Sequence, residues 1–238
     1  MKLGIAAHCT IDSIILNDLQ YDVAGGPACY GAFTAKNLKF DVDLYTKFGS
    51  DFPLIEQLGY FNIAKNQLLS ETKTTRFKIL LNDSDRKLFI ENQCQEIEFI
   101  DNTSDGLIIS PVFDEISPDV FSKLKNNSNF IMIDPQGFLR KKTSENEIFL
   151  ENSKIDLSGI SVIKTNYDEI NALTGLNGDD AMKLLQDQGI EYVILTDKQN
   201  ISLLVKDKMY SIKLPNIKLH DTTAVSYTHL TLPTSDLV

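Results

Sequence analysis

The sequence predicts an α/β fold: a mostly parallel sheet flanked by helices, with a small β appendage. Three observations carry this. Residues 2–7 form an apolar run without helical period, which reads as a buried strand opening the domain. From about residue 100 onward, short apolar runs alternate with amphipathic stretches across short connections, the pattern of a βαβ series and a parallel sheet. A polar hairpin near residues 72–91 interrupts that alternation, so something stands outside the main layers.

In chain order, the first strand ends at His8, Cys9, Thr10, Ile11 and Asp12. This places Asp12 just past a strand's C-terminal end, where open α/β sheets bind ligands, unless it is only a turn or cap aspartate. Residues 13–16 and 20–23 read as two short strands around Asn17 and Asp18. Gly25 and Gly26 then allow close backbone approach, and Pro27 suits the first position of a helix. Ala28, Gly31, Ala32 and Ala35 make one side of that helix small enough for tight packing. Residues 42–47 alternate as a strand and break at Gly49, and 55–60 read as helical. The hairpin pairs 72–81 with 87–91 across a turn at 82–85, either as a cover over a site or as an edge decoration. Residues 106–110 form a strand. Ser117 and Pro118 start a helix whose Val120, Phe121 and Leu124 share a face. Residues 129–133 form a strand ending at Asp134, Pro135, Gln136 and Gly137. A strand at 162–164 leads into a helix that carries Ile170 and Leu173 and stops at Gly175. The amphipathic stretch 179–188, a strand at 192–195 and a hairpin of 201–205 with 209–212 complete the readable part.

Composition narrows the function. The chain has 238 residues, 42% of them hydrophobic, with twelve glycines and seven prolines, so it suits a globular α/β domain with an appendage. A net charge of −10 argues against a nucleic-acid surface, which shows a basic field. It leaves room for an anionic nucleotide, since backbone N–H groups and a metal neutralise phosphate locally. Cys9, Cys29 and Cys94 form no CxxC pair and no disulfide framework, which fits a cytoplasmic setting. No apolar run is long enough to span a membrane. There is no Walker A motif, HExxH, GxSxG or metal-spaced His/Cys cluster. His8 and His220 read as packing or loop residues.

Asn166-x-x-Glu169 has two readings. As structure it is a capping box. As chemistry, an amide and a carboxylate at a strand's C-terminal end hold a hydrated Mg²⁺ beside phosphates. The order of elements then matters. An Asp after the first strand, a pair of short strands, Gly-Gly at a helix start, a polar hairpin, Asn-x-x-Glu and Asp221, Thr222, Thr223 together resemble the ribokinase-like (pfkB) carbohydrate kinases. The resemblance covers essentially residues 1–223. It implies an ATP-dependent phosphotransferase acting on a hydroxyl of a small sugar, polyol or nucleoside. Asp12, Gly25, Gly26 and Tyr30 would line the acceptor pocket. Asn166 and Glu169 would organise Mg²⁺ and the ATP phosphates, with Glu169 acting through water. Thr196, Thr222 and Thr223 would face the nucleotide, and Asp221 and Thr223 resemble positions where some members hold a monovalent cation such as K⁺. Residues 13–24 and 72–93 would form a lid, through which some members pair as homodimers. Tyr30, where the family usually has Asn, and the Asp134, Gln136, Gly137 stretch lean toward inositol-kinase-like members. Residues 196–200 lack both glycines of the family's nucleotide loop.

The family's Asp-Thr-Thr-Gly/Ala-Ala/Gly-Gly-Asp motif is present only as Asp221, Thr222 and Thr223. Residues 225–234 can be reverse-translated as one frame of a transposase sequencing adapter, so residues 224–238 are expected to be a non-native tail. On this expectation the C-terminal part of the fold is missing. The base carboxylate beyond Thr223 and the anion-hole glycines are absent, and the chain as written is inactive and poorly soluble. Two other readings remain open. One is a non-catalytic sugar-binding protein without the kinase loop. The other is an unrelated α/β nucleotide-binding domain, in which Asp12 has no part in binding.

Overall fold

A computed structural model describes residues 1–16, 19–59, 61–63, 70–82, 85–99, 101, 104–197 and 200–213. The N-terminal half contains β1 (Lys2–Ala6), β2 (Thr10–Leu16), β3 (Leu19–Gly25), α1 (Pro27–Asn37), β4 (Asp41–Tyr45), α2 (Ile55–Leu58), β5 (Asn62–Ile63), β6 (Thr75–Asn82) and β7 (Asp85–Asn92). The remainder contains β8 (Gly106–Ile109), α3 (Pro118–Lys125), β9 (Ile131–Ile133), α4 (Gln136–Leu139), β10 (Arg140–Lys142), β11 (Ile148–Leu150), β12 (Val162–Asn166), α5 (Tyr167–Thr174), α6 (Gly178–Asp187), β13 (Tyr192–Asp197), β14 (Asn200–Val205) and β15 (Lys208–Lys213).

Among the described residues the main sheet has nine strands in the order β15-β14-β13-β12-β9-β8-β1-β4-β5. All pairings from β13 to β5 are parallel, while β14 and β15 add an antiparallel edge. The mostly parallel sheet with flanking helices is the architecture the alternation predicts. The strands that run through the centre are apolar and buried: Ile109, Ile133, Ile163 and Val193 pack with Phe121, Leu124, Ile170 and Leu185. A second cluster joins Ile5, Leu44 and Phe48 to the small side of α1 at Ala28, Ala32 and Ala35. A methyl on Gly31 would stand 3.3 Å from Ile5, so that helix packs as closely as its small residues allow.

Residues 10–25 and 75–92 leave the main sheet and form a separate four-stranded sheet, β3-β2-β6-β7. β2 runs parallel to β6, and the other two pairings are antiparallel. The alternation of β2 and β6 turns Ile14, Phe77 and Ile79 to one side, where they pack with Ile90, Val112 and Phe113. β2, β3 and β7 are longer than the sequence suggests, whereas β6 starts at Thr75, three residues later than expected. β2 starts at Thr10, so Asp12 lies inside a strand of the smaller sheet and not in a loop. The hairpin strands close up to an Asn82–Asp85 pair, so the expected four-residue turn is tighter. The β10–β11 ribbon was not anticipated; its three-residue strands are too short to show a period.

The loop after β8 is fixed by a buried carboxylate. Glu115 accepts from the backbone N–H of His8 at 3.0 Å, of Val112 at 2.7 Å and of Phe113 at 2.7 Å. No helix among the described residues is long and apolar enough to cross a membrane.

Candidate functional site

A cavity of about 200 Å³ opens between the C-terminal ends of the main-sheet strands and the smaller sheet. It is built from three directions. The smaller sheet contributes Asp12, Phe77, Ile79, Arg86 and Leu88. The N-terminus of α1 contributes Gly26, Pro27 and Tyr30. The main sheet and its loops contribute Asp134, Gln136, Arg140, Lys164, Asn166, Glu169 and Thr196.

Asp12 is buried and accepts from Thr10 Oγ1 at 2.9 Å. Gly25 does not line the cavity itself. A Cβ there would stand 2.7 Å from Asp12 Oδ2, so the glycine makes room for the carboxylate. Gly26 has φ 90° and ψ 149°, a conformation essentially reserved for glycine, and a Cβ there would meet the His8 carbonyl oxygen at 2.4 Å. The Gly26 contact brings the turn before α1 down onto the segment that joins β1 to β2, and the Gly25 contact sets it against Asp12 in β2. Pro27 starts the helix, as its position predicts. The Tyr30 hydroxyl donates to the Ala24 carbonyl at 3.1 Å, which ties the helix to β3.

Across the cavity, β12 ends at Asn166, and both bonds of the capping box are present. The Asn166 side chain accepts from the Glu169 N–H at 2.8 Å, and Glu169 Oε2 accepts from the Asn166 N–H at 2.8 Å. The cap does not preclude the chemical reading, because both residues also line the cavity. Glu169 is only 2% exposed, and its carboxyl is pushed up to about 7, first by burial and then by the charge of Asp134. Asp134 in turn accepts from Lys164 Nζ at 2.9 Å. The Thr196 hydroxyl donates to the Thr165 carbonyl at 3.1 Å. Thr196 belongs to β13, which pairs antiparallel with β14 through an Asp197–Asn200 pair where a glycine-containing loop was sought. Asp221, Thr222, Thr223 and the whole 224–238 stretch lie outside the described residues.

One cavity therefore holds residues expected on the acceptor side (Asp12, Gly26, Tyr30) and on the nucleotide side (Asn166, Glu169, Thr196). Sequence reasoning missed Arg140, Lys164 and Arg86. Lys164 had a readable signal, since it sits two residues before Asn166 in a strand and so faces the same way. Arg140 and Arg86 had none. Arg140 follows a four-residue helix, and Arg86 sits just past a hairpin turn.

No protein-family model matches the sequence, and no curated protein matches it significantly. Solved structures do. A pyrophosphate-dependent kinase of the ribokinase family, complexed with a pyrophosphate analogue and myo-inositol, superposes with a TM-score of 0.78 at 18% identity, covering 95% of this chain and 83% of its own. Ribokinase from Thermotoga maritima gives 0.72 at 19% identity, with 94% and 82% covered. The nucleoside kinase of Methanocaldococcus jannaschii gives 0.65 at 17% identity, with 96% and 81% covered. The sheet order, the separate four-stranded sheet and these superpositions together identify the fold of this chain as ribokinase-like.

Proposed function

We propose that this chain carries the substrate sites of a kinase that transfers a terminal phosphoryl group to a hydroxyl of a small polyol or sugar. The observation that carries the reading is the shared cavity. Asp12, with two acceptor oxygens, lines it from the smaller sheet, and Asn166 and Glu169 line it from the main sheet's C-terminal edge; the smaller sheet would serve as a lid. Such a cover limits hydrolysis of the donor by water.

The reaction is in-line displacement. The acceptor oxygen forms a bond to phosphorus, the bond to the leaving phosphate oxygen breaks, and the acceptor proton passes to a carboxylate base. No described residue is assigned as that base. The Asp-Thr-Thr run at 221–223, outside the described residues, is where its loop would begin.

The residues fit a divalent cation. Glu169 and Asp134 are buried carboxylates lining one cavity, and Glu169 is raised by burial and then by the charge of Asp134, which a bound cation would relieve. Mg²⁺ bound through water to Glu169 would neutralise phosphate oxygens. The Asn166 backbone N–H orients the Glu169 carboxylate through the capping box, Lys164 offsets Asp134, and Thr196 would border the phosphate side.

ATP is the donor that the resemblance implies. A second donor, pyrophosphate, is favoured by the likeness to pyrophosphate-dependent kinases at TM-scores of 0.79 and 0.78 and by the missing glycines at 196–200. The acceptor probe is myo-inositol, which one of those structures contains. The test has two parts. Titration calorimetry with myo-inositol, ATP and pyrophosphate in Mg²⁺ should show saturable polyol binding that Asp12→Ala removes. The gene read across codon 224 and expressed in full should then phosphorylate the polyol. Polyol binding without turnover by that product would favour a sugar-binding protein, and polyol binding indifferent to Asp12→Ala would overturn the site.

A further inference from the structure

Arg140 is a cation in the cavity wall that, among the described residues, makes one hydrogen bond and leaves most of its donors unused. Its Nη1 donates to the Val112 carbonyl at 3.0 Å, and its guanidinium carbon lies 5.6 Å from the centre of the Phe77 ring. A guanidinium carries five N–H donors, and this single bond uses one. Asp12, Asp134 and Glu169 line the same cavity and act on Arg140 electrostatically, yet among the described residues none of them forms an ion pair with it. The contrast with its neighbours is clear. Lys164 holds Asp134 at 2.9 Å, and Arg76 on the smaller sheet holds Asp22 at 2.6 Å.

The position is held from three sides. Val112 O is placed by the Glu115 clasp, which grips the Val112 and Phe113 N–H groups. Phe77 covers the guanidinium from β6. Arg140 itself begins β10, which is locked to β11 by the Arg140–Leu150 pair. A planar cation fixed in this way, facing carboxylates that it does not touch, is set up for an anion entering between them. Its remaining fork matches two oxygens of a phosphoryl group.

We propose that Arg140 binds the terminal phosphoryl group of the donor, at the point where that group lies between the acceptor on Asp12 and the donor phosphates on Asn166 and Glu169. This rests on the kinase reading above and adds a residue that contacts the group in transfer. It also gives the smaller sheet a second task, because Phe77 helps to hold the guanidinium in place.

The test is calorimetric titration of the full chain in Mg²⁺ with four probes: pyrophosphate, ATP, myo-inositol and inositol monophosphate. Arg140→Gln should weaken pyrophosphate and ATP alike by about 10- to 100-fold, the loss expected of one or two charge-assisted hydrogen bonds. Myo-inositol binding should stay within about twofold, a split that general loosening of the cavity would not produce. Arg140→Lys keeps the charge without the fork and should fall between, about five- to tenfold weaker. Thermal unfolding checks that each variant is folded, and Arg140→Lys carries the test if Arg140→Gln is not. Unchanged pyrophosphate affinity in a folded variant overturns the assignment, as does an unaltered chain that binds neither phosphate donor. So does a loss confined to inositol monophosphate, which would make Arg140 a product contact only. Arg140-dependent pyrophosphate binding without any polyol binding would keep the assignment and refute the kinase reading. Polyol binding with indifference to Arg140 would do the reverse.

Discussion

Glu169→Gln is expected to stabilise the fold at neutral and alkaline pH. The substitution keeps the size of the side chain and an oxygen that can accept from the Asn166 N–H, and it removes only the charge. In the unfolded chain the carboxyl loses its proton near 4.5, whereas burial and Asp134 hold it to about 7 in the fold. Between those values the folded form keeps a proton that the unfolded form has lost. Stability is therefore undiminished below pH 4.5 and falls as pH rises through about 7, after which the cost is constant. At about 1.4 kcal/mol per pH unit the full separation sets a ceiling of roughly 3 kcal/mol. Asp134 and Lys164 share the charge with Glu169, so the expected gain for Glu169→Gln is about 1–3 kcal/mol above pH 7, or about 3–8 °C in melting temperature. The assay is urea unfolding of both chains from pH 5.5 to 8.5. Burial pushes the His8 imidazole down, which has the opposite slope, but both chains contain it and it cancels in the difference. A gap that stays flat or narrows with rising pH would refute the reasoning. Mg²⁺ at pH 8 should narrow the gap by stabilising the unaltered chain.

Two further substitutions probe the frame around the cavity. Gly26→Ala forces a Cβ to within 2.4 Å of the His8 carbonyl oxygen in a conformation that only glycine adopts readily. It should cost at least about 3 kcal/mol or abolish soluble expression, and a urea midpoint within about 0.5 kcal/mol of the unaltered chain would contradict the close approach. Glu115→Ala strips three buried N–H groups of their acceptor and should cost about 3–5 kcal/mol in urea unfolding. A loss below about 1 kcal/mol would mean that the loop does not depend on this clasp.

The main sheet was readable because its signal is repeated. Central strands contain apolar runs such as residues 107–109 or 131–133, and two of the helices carry clear start signals: Pro118 after Ser117, and the Asn166 box. Periodicity, capping and Gly175 as a left-handed stop all point one way, and the structure places helices there. Boundaries moved where pairing prolonged a strand beyond its apolar part. Thr10 and Asp12 join β2 because β3 and β6 lie on both sides, a contact that no local pattern reveals. The two stretches of the smaller sheet are also about fifty residues apart in sequence, so their parallel β2–β6 pairing could be seen only in the fold.

The site divides along the same line. The glycine turn and Asn166-x-x-Glu169 could be found because each sits at an element boundary where residue type carries meaning, and Asp12 because it closely follows the first apolar run, although it lies inside β2. Arg140 could not, because its role depends on what surrounds it. An arginine before two lysines, in the run Arg140, Lys141, Lys142, reads as a solvated edge of positive charge. Of the three, Arg140 lines the cavity, where the Val112 carbonyl and the Phe77 ring receive it. Both partners belong to segments that the Glu115 clasp and the β2–β6 pairing bring together. The same long-range contacts that blurred the strand boundaries thus bring the cation into the cavity that Asp12 and Glu169 also line. If Arg140 holds the phosphoryl group, the smaller sheet contributes to catalysis through Phe77 as well as through its cover. A lid substitution such as Phe77→Ala should then weaken phosphate binding more than polyol binding.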